Sequence, residues 1–529
     1  MTNSISDLEK ADLILLTGSN TTENHPIIGL HIINAVARLR KKLIVVDPRV
    51  IKMTEYADIY LRPRAGTDIA WLNGLAHVII KEGWWDKDYV RERTENFDAF
   101  AKTVEKYTPE LVQMITGIPA EDLKKAARLY AEAERAAIVY CMGITQHRSG
   151  TDNVKAIANL AMLCGNVGIE GGGVNPLRGQ NNVQGACDVG ALPDYLPGYQ
   201  SVTDPAIRRK FEEAWDARLP EEPGLTVTEI IKQAGEGKIK ALYIMGENPL
   251  ISDPDLHHVR SALEGLEFLV VQDIFLTQTA RLADVVLPAA SYAEKEGTFT
   301  NTERRVQRVR QAISPLGESK PDWRIISELS SKMGYKMSYE SPEEIMEEIA
   351  SVTPVYGGIH YDRLEEAGIQ WPCPTLDHPG TPVLHSDGFT RGKGLFHTLE
   401  VIPASEMPDD DYPFLLSTGR VLYQYNSGTM SRRSEGLNKM YPEVMVEMNP
   451  IDAFALDVDD HSFVRIISRR GEVKVRVALT ERCQRGTLFL PFHFREAAAN
   501  LLTNPGVDPV SKMPEYKICA VRIRPVYGM

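Results

Sequence analysis

Nowhere do two cysteines stand close enough to form a CxxC pair: the six lie at 141, 164, 187, 373, 483 and 519. That spacing excludes a local zinc or iron–sulfur motif within this sequence and gives no reason to expect a disulfide framework. Long apolar runs are also missing. The longest, such as "AAIVYCMGI" from 136 to 144, fall far short of the roughly 20 residues of a membrane span, so no membrane span is expected. Basic charge is not in excess, because 59 Lys and Arg face 72 Asp and Glu and the formal net charge is -13. The acidic excess is spread along the chain, which repels nucleic acid, and no DNA or RNA partner is expected. The opening "MTNSISDLEKADLILL" has neither a basic n-region nor a small-residue cleavage site, so no signal peptide is visible. A cytoplasmic location is expected, any targeting signal having to precede Met1.

What is present is a soluble globular composition, with 43% hydrophobic and 25% charged residues in 529. That length exceeds one core and suggests roughly three or four domains. "ADLILLTGSN" reads as a buried strand running into a turn, and "HPIIGLHIINAVARLRK" as an amphipathic helix. "KLIVVDPR", "ADIYLRP", "GTDIAWLNGLAHVIIKEG", "AEDLKKAARLYAEAERA" and "AAIVYCMGI" continue the alternation of strands and helices, which implies a parallel, doubly wound sheet. The pattern restarts at "VTEIIKQAGEG", "IKALYIMGENP", "LHHVRSALEGL" and "EFLVVQDIF". Two α/β units with polar loops at strand ends offer two crevices of the nucleotide-binding kind. From about 400 the style changes: "HSFVRIISRRGEVKVRVAL" alternates across an Arg-Gly turn and "GTLFLPF" adds a strand, so a separate β-rich C-terminal domain is expected. Residues 300 to 400, with Pro and Gly clusters around "WPCPTLDHPGTP", read as long loops.

Several stretches carry chemistry. In "LLTGSNTTENHP", Gly18 lets the backbone turn, and Ser19, Asn20 and Thr21 present hydroxyl, amide and backbone donors ahead of a helix. A pyrophosphate suits such a place; an ordinary strand-to-helix turn is the other reading. Asp47, at a strand end in "VDPR", can accept from the N-H edge of guanine or from a ribose hydroxyl, or else cap a helix. Asp68 in "AGTD" has the same two readings, with N-capping the alternative. "PLRGQNNVQGACDVG", residues 176 to 190, has no hydrophobic period. It is either a surface loop or a polar wall around a buried ligand. A guanidinium such as that of Arg178 is charged at every relevant pH and grips a small carboxylate bidentately. His147 is more simply a satisfied polar residue than a metal ligand.

In order along the chain, "GSNTTENHP", "VDPR", "AGTD", "MGITQH", "LRGQNNVQGACD", "GENP", "QDIFLTQTARLADVVLP", "EKEGTFTNTERR", "STGR", "NPIDA", "SRRG" and "PEYK" resemble the catalytic (alpha) subunits of molybdenum or tungsten formate dehydrogenases. These belong to the bis-molybdopterin guanine dinucleotide oxidoreductases, and the resemblance covers essentially the whole chain. It implies an α/β fold of two Rossmann-like doubly wound units plus a C-terminal β-barrel-like domain, without the family's N-terminal iron–sulfur domain. The implied domains are 1–178, a first α/β cofactor-binding domain whose start is missing, and 179–345, a second one with 295–320 lying near the missing iron–sulfur region. An irregular connection, 346–399, and a dinucleotide-binding β-barrel domain, 400–529, follow.

The resemblance implies formate oxidation to CO2, or its reverse, at a bis-pterin centre carrying Mo or W, with Arg178 as the substrate-binding residue and Gln180 beside it. Implied cofactor contacts in the first unit are Gly18, Ser19, Asn20, Thr21, Asp47, Arg49, Gly66, Asp68, Met142, Gly143 and Gln146. In the second they are Glu247, Asn248, Gln272, Asp273, Lys295 and Asp322, and in the C-terminal domain Thr418, Gly419, Arg420, Phe492, Asn500 and Lys517. Iron–sulfur or flavin electron-transfer subunits are the implied protein partners.

The sequence departs from this pattern at its start. Complete members carry a four-Cys [4Fe-4S] segment and then a Cys or selenocysteine metal ligand followed by His, and neither occurs here. Cys187 matches a family Cys that is not a ligand and is read as a small buried residue, so no metal ligand is assigned. The expectation is a selenoprotein fragment, its reading frame cut at an in-frame UGA codon and restarted at Met1, and catalytically inert by itself. A separate subunit carrying the missing segment is the alternative. Two other functional readings stay open: a nitrate reductase or other oxyanion reductase of the same fold, and a pterin-free scaffold.

Overall fold

The run "LILL", residues 13 to 16, is apolar throughout because both faces of its strand are covered. Its residues alternate between two cores, Leu13 and Leu15 in one and Ile14 and Leu16 in the other, as a parallel sheet buried on both sides requires. In this computed structural model, which describes residues 1–526, the chain forms two units, Met1–Gly179 with Val383–Met529, and Gln180–Pro382.

The first unit is built on strands β1 (Leu13–Thr17), β2 (Lys42–Val46) and β3 (Ile59–Leu61). Helix α1 (Pro26–Ala37) joins the first two strands, and α2 (Asp68–Glu82) follows the third. Strand β4 (Ala136–Tyr140), helix α3 (Gly150–Leu163) and strand β5 (Val174–Pro176) complete it. All pairings are parallel, in the order β3-β2-β1-β4-β5. The chain therefore leaves β1 towards one edge and returns at β4 on the other side. Such a reversal opens a crevice at the carboxyl ends of the two strands.

The second unit has helices α4 (Val227–Gly235) and α5 (Leu256–Glu264). They cover one face of a parallel sheet of β6 (Ala241–Met245), β7 (Phe268–Asp273) and β8 (Val285–Pro288), through a core that includes Ile231, Val259, Leu263 and Val271. The order is sequential, so this sheet contains no reversal. Residues 300 to 400 are less irregular than the Pro and Gly clusters suggest. Helices α6 (Asp322–Lys332) and α7 (Pro342–Val352) lie there, and Arg305–Val309 pairs with Gly297–Thr300 and Ile369–Gln370. The helical signal in α7 was present: Ser341 caps it by accepting from Glu344 N-H, Pro342 opens it, and Met346 and Ala350 are buried at helical spacing.

The C-terminal part of the first unit is a closed six-stranded barrel. Its strands are β9 (Phe414–Gly419), β10 (Met445–Met448), β11 (Phe463–Ile467), β12 (Glu472–Leu479), β13 (Thr487–Pro491) and β14 (Cys519–Pro525). The expected hairpin is β11 with β12, in antiparallel register from Phe463 opposite Arg476 to Ile467 opposite Glu472. Arg49, just after β2, fastens the barrel to the sheet. It donates to Glu447 through Nε at 2.8 Å and Nη2 at 2.5 Å and lies 3.8 Å over the Phe489 ring.

Candidate functional site

The carboxyl ends of β1, β2 and β4 and the loop after β3 form one wall of a cavity that opens to solvent, and the barrel forms the other. Two glycines set the crossing at the reversal. Gly18 has φ +54°, and a Cβ on it would stand 2.7 Å from Ile144 N; one on Gly143 would stand 2.6 Å from Gly18 Cα. The loops after β1 and β4 are thus in backbone contact, and Gly143 N-H donates to Gly18 C=O at 2.9 Å.

Around this crossing, polar atoms are buried without protein partners: Ser19 Oγ, Asn20 Nδ2 and Asn24 Oδ1 on the β1 loop, and Arg420 Nε on the barrel. Buried polar groups are ordinarily paired, so such a cluster on a cavity wall fits a polar ligand. After β2, Asp47 accepts from Arg49 N-H at 2.9 Å, and burial pushes its carboxyl up to about 6. Asp68 is likewise pushed up to about 6 by burial, against the Trp71 indole N-H that donates to it at 3.2 Å. Neither is a helix cap: Asp47 closes a turn on its own loop, and Asp68 is the first helical residue after the N-cap position Thr67.

From the barrel, Lys517 donates to Thr418 C=O at 2.7 Å, and burial lowers its ammonium to about 8. Burial also lowers the Arg420 guanidinium, which has Phe492 6.0 Å from its centre. His147 donates through Nε2 to Gly143 C=O at 2.9 Å and is held near 4 by burial, so it is a neutral wall residue. Among the described residues no group of three or more His, Cys, Asp or Glu is arranged to hold a metal ion.

The molybdopterin oxidoreductase profile matches residues 1–332, and the molybdopterin dinucleotide-binding domain profile matches 414–520. The chain belongs to the molybdopterin oxidoreductase family. It is 51% identical over 527 residues to the F420-dependent formate dehydrogenase subunit alpha of Methanocaldococcus jannaschii, covering 99% of this chain and 78% of that one. It is 42% identical over 533 residues to formate dehydrogenase H of Escherichia coli, covering 99% of this chain and 74% of that one. Acetylene hydratase from Pelobacter acetylenicus shares the fold, with a TM-score of 0.78 at 19% identity over 99% of this chain and 79% of that one. This molybdopterin oxidoreductase is therefore an enzyme of oxidoreductase type, and the cofactor of its family is a bis-pterin dinucleotide carrying Mo or W. No helix is long and apolar enough to cross a membrane among the described residues.

The cavity fits that group. Its lining residues run along the ends of three strands, and its partnerless Ser19, Asn20, Asn24 and Arg420 atoms suit phosphates and amides. Of the residues singled out from the sequence, Gly18, Ser19, Asn20, Asp47, Arg49 and Gly66 come together on this wall. So do Asp68, Met142, Gly143 and Gln146, and from the barrel Thr418, Gly419, Arg420, Phe492 and Lys517. Arg49, on this wall, is also held by Glu447. Thr21 is buried with a partnerless hydroxyl but lies outside the wall. Asn500 is buried in the barrel, where its carbonyl accepts from Thr503 Oγ at 3.3 Å, also outside the wall. Arg178 is exposed and ends the excursion after β5, while Gln180 is the first residue of the second unit.

In the second unit the oxidoreductase gathers Gln272, Asp322 and Lys295 at the end of β7. Gln272 accepts from Tyr243 OH and donates to Asp322 at 2.7 Å, and Lys295 pairs with Asp322. Asn248 accepts from Thr279 N-H at 3.2 Å and Oγ-H at 2.7 Å and donates to Gln278 at 2.9 Å. Asp273 accepts from Phe275 N-H at 3.0 Å. Glu247 accepts from Ser252 Oγ at 3.4 Å; nearby, Asp253 is pushed up to about 7 by burial and by the charge of Glu247.

The "QNNVQGACD" stretch proves largely internal to this unit. Asn182 accepts from Thr300 N-H at 2.9 Å. Asp188 is buried, with Gln184 and Tyr199 donating to Oδ1 at 2.7 and 2.8 Å and Tyr356 and Trp371 to Oδ2 at 2.6 Å each. Cys187 is half-buried rather than buried. Sequence reasoning missed Asn24 and His25. The only local signal for them was their place just ahead of Pro26, the first residue of α1.

Proposed function

We propose that this chain is the catalytic subunit of a formate dehydrogenase, interconverting formate and CO2. The observation that carries the reading is similarity over 99% of the chain to formate dehydrogenase subunits, joined to a cavity whose unpaired polar groups suit the family's cofactor. When bound, the metal-pterin group supplies the acceptor for two electrons. On this reading Ser19, Asn20, Gln146, Arg420 and Lys517 hold pyrophosphate and pterin, and Asp47 and Asp68 accept from the N-H edge of guanine. Gln272, Lys295 and Asp322 do equivalent work in the second unit. Arg178 clasps the substrate carboxylate bidentately and keeps its C-H oriented, with Gln180 next along the chain. Electrons leave to iron–sulfur or flavin subunits.

The test is co-production with the metal-ligand and iron–sulfur segment that complete members carry, in an anaerobic host supplied with molybdate or tungstate, followed by metal and pterin analysis and formate-dependent dye reduction. Arg178→Lys, which removes the bidentate fork, is expected to lower kcat/KM for formate by about 100-fold with pterin content unchanged. Undiminished formate turnover in that variant removes Arg178 from its role. Nitrate turnover without formate turnover points to an oxyanion reductase, and a protein without pterin to a scaffold.

A further inference from the structure

Resting on that reading of Arg178, the geometry points to His25 as a positioning residue that sets where the substrate-binding guanidinium stands. His25 Nε2 lies 2.7 Å from the Arg178 carbonyl oxygen, across 153 positions of sequence. The partner is a carbonyl, which only accepts, so Nε2 carries the proton and Nδ1 is the unprotonated nitrogen. That Nδ1 is buried without a partner, and burial lowers the pKa of the ring. His25 is therefore a neutral donor with one assigned bond, and that bond goes to Arg178.

The residues on either side of Arg178 show why this matters. Leu177 is tied to the end of β4: its N-H donates to Tyr140 C=O at 2.9 Å, and the Cys141 thiol donates to its carbonyl at 3.1 Å. Gly179 passes over the cavity wall, where a Cβ would stand 3.1 Å from Arg420 Nη2 and 3.4 Å from Met142 Cε. Between these points, the Arg178 carbonyl is where the loop after β1, through His25, holds this backbone. His25 is itself held by its N-H donating to Thr21 C=O at 2.9 Å. The loop that presents Ser19 and Asn20 to the cavity therefore also fixes the backbone from which the guanidinium projects, and one loop aligns cofactor wall and substrate clamp.

The test compares His25→Ala, His25→Gln and Arg178→Lys, alone and combined, in the full chain purified together with the metal-ligand segment of complete members. Small displacements of a binding group have large kinetic effects, so His25→Ala is expected to raise the KM for formate about tenfold while kcat changes by less than about twofold. Pterin content and Tm are expected to stay unchanged. The Gln amide can donate to the same carbonyl, so His25→Gln should recover to within about threefold of the parent. Formate affinity by calorimetry should weaken by the same factors without turnover being needed. Because His25 acts through Arg178, adding His25→Ala to Arg178→Lys should produce no further loss.

The assignment is overturned if His25→Ala lowers kcat or pterin content with KM unmoved, if His25→Gln is as impaired as His25→Ala, or if the two losses multiply. An Arg178→Lys variant with unchanged formate affinity would refute the clamp and His25 with it. A damaged Arg178→Lys beside an unaffected His25→Ala refutes His25 alone.

Discussion

At the ends of β1 and β4, Ser19 Oγ, Asn20 Nδ2 and His147 Nδ1 are buried without partners, whereas at the ends of β6 and β7 the corresponding polar side chains satisfy one another. Asn248 is bonded to Thr279 and Gln278, and Gln272 to Tyr243 and Asp322, which in turn holds Lys295. The sheets differ in the same sense. The five-stranded one reverses between β1 and β4, where a crevice opens at the carboxyl ends of strands; the three-stranded one runs in sequence and has no such reversal. An unpaired buried polar group weakens the empty fold and strengthens binding, since only the ligand removes the desolvation penalty. A ligand at the second set of loops must instead displace bonds already made.

The largest test of this contrast is Asp188→Ala. It leaves two hydroxyls, an indole N-H and an amide without their buried acceptor and should destabilise the second unit by about 3–5 kcal/mol, read by urea unfolding. A loss under about 1 kcal/mol would show the cluster to be loosely solvated. Next comes a matched pair. Asn248→Ala removes the hydrogen bonds to Thr279 and Gln278 and should cost about 1–3 kcal/mol of stability, whereas Asn20→Ala should leave the stability of pterin-free protein within about 0.5 kcal/mol and reduce pterin retention instead. Equal stability losses in the two variants would break the comparison.

The smallest expected effect is in pH. Burial raises Asp47 from its ordinary value to about 6, so between pH 4 and 6 the folded state keeps a proton that the unfolded state has lost. The associated stability is full below about pH 4 and is lost as pH rises through 6. Differential scanning calorimetry of the pterin-free parent and of Asp47→Asn should show the parent losing about 1–2 kcal/mol relative to the variant across that window. Parallel pH profiles would mean that Asp47 is solvated.

Much of the site was legible because it lies where strands end. Gly18, Asp47, Gly66, Asp68 and Met142 each follow an apolar run, and strand periodicity alone puts them at one edge. Arg420 and Lys517 were found only through resemblance, since nothing local says which barrel loop faces the sheet. Arg49 was placed on the cavity wall, but its pairing with Glu447, 398 positions away, is reported by no sequence pattern. The polar "QNNVQGACD" stretch was read as cavity wall or loop, and Asp188 shows a third possibility, a buried hub whose donors Tyr356 and Trp371 come from distant segments. Helix α7 was overlooked because Pro and Gly clusters nearby outweighed a capped helix.

Alternation of strands and helices, the glycine turns and the apolar runs were decided by the sequence itself, because hydrophobic period and φ preference act between near neighbours. Which polar groups pair and which stay open for a ligand was decided only in three dimensions. Pairing needs donor and acceptor within about 3 Å, and the contacts that matter here, His25 with Arg178, Arg49 with Glu447 and Asp188 with Tyr356, join residues that the chain keeps more than a hundred positions apart.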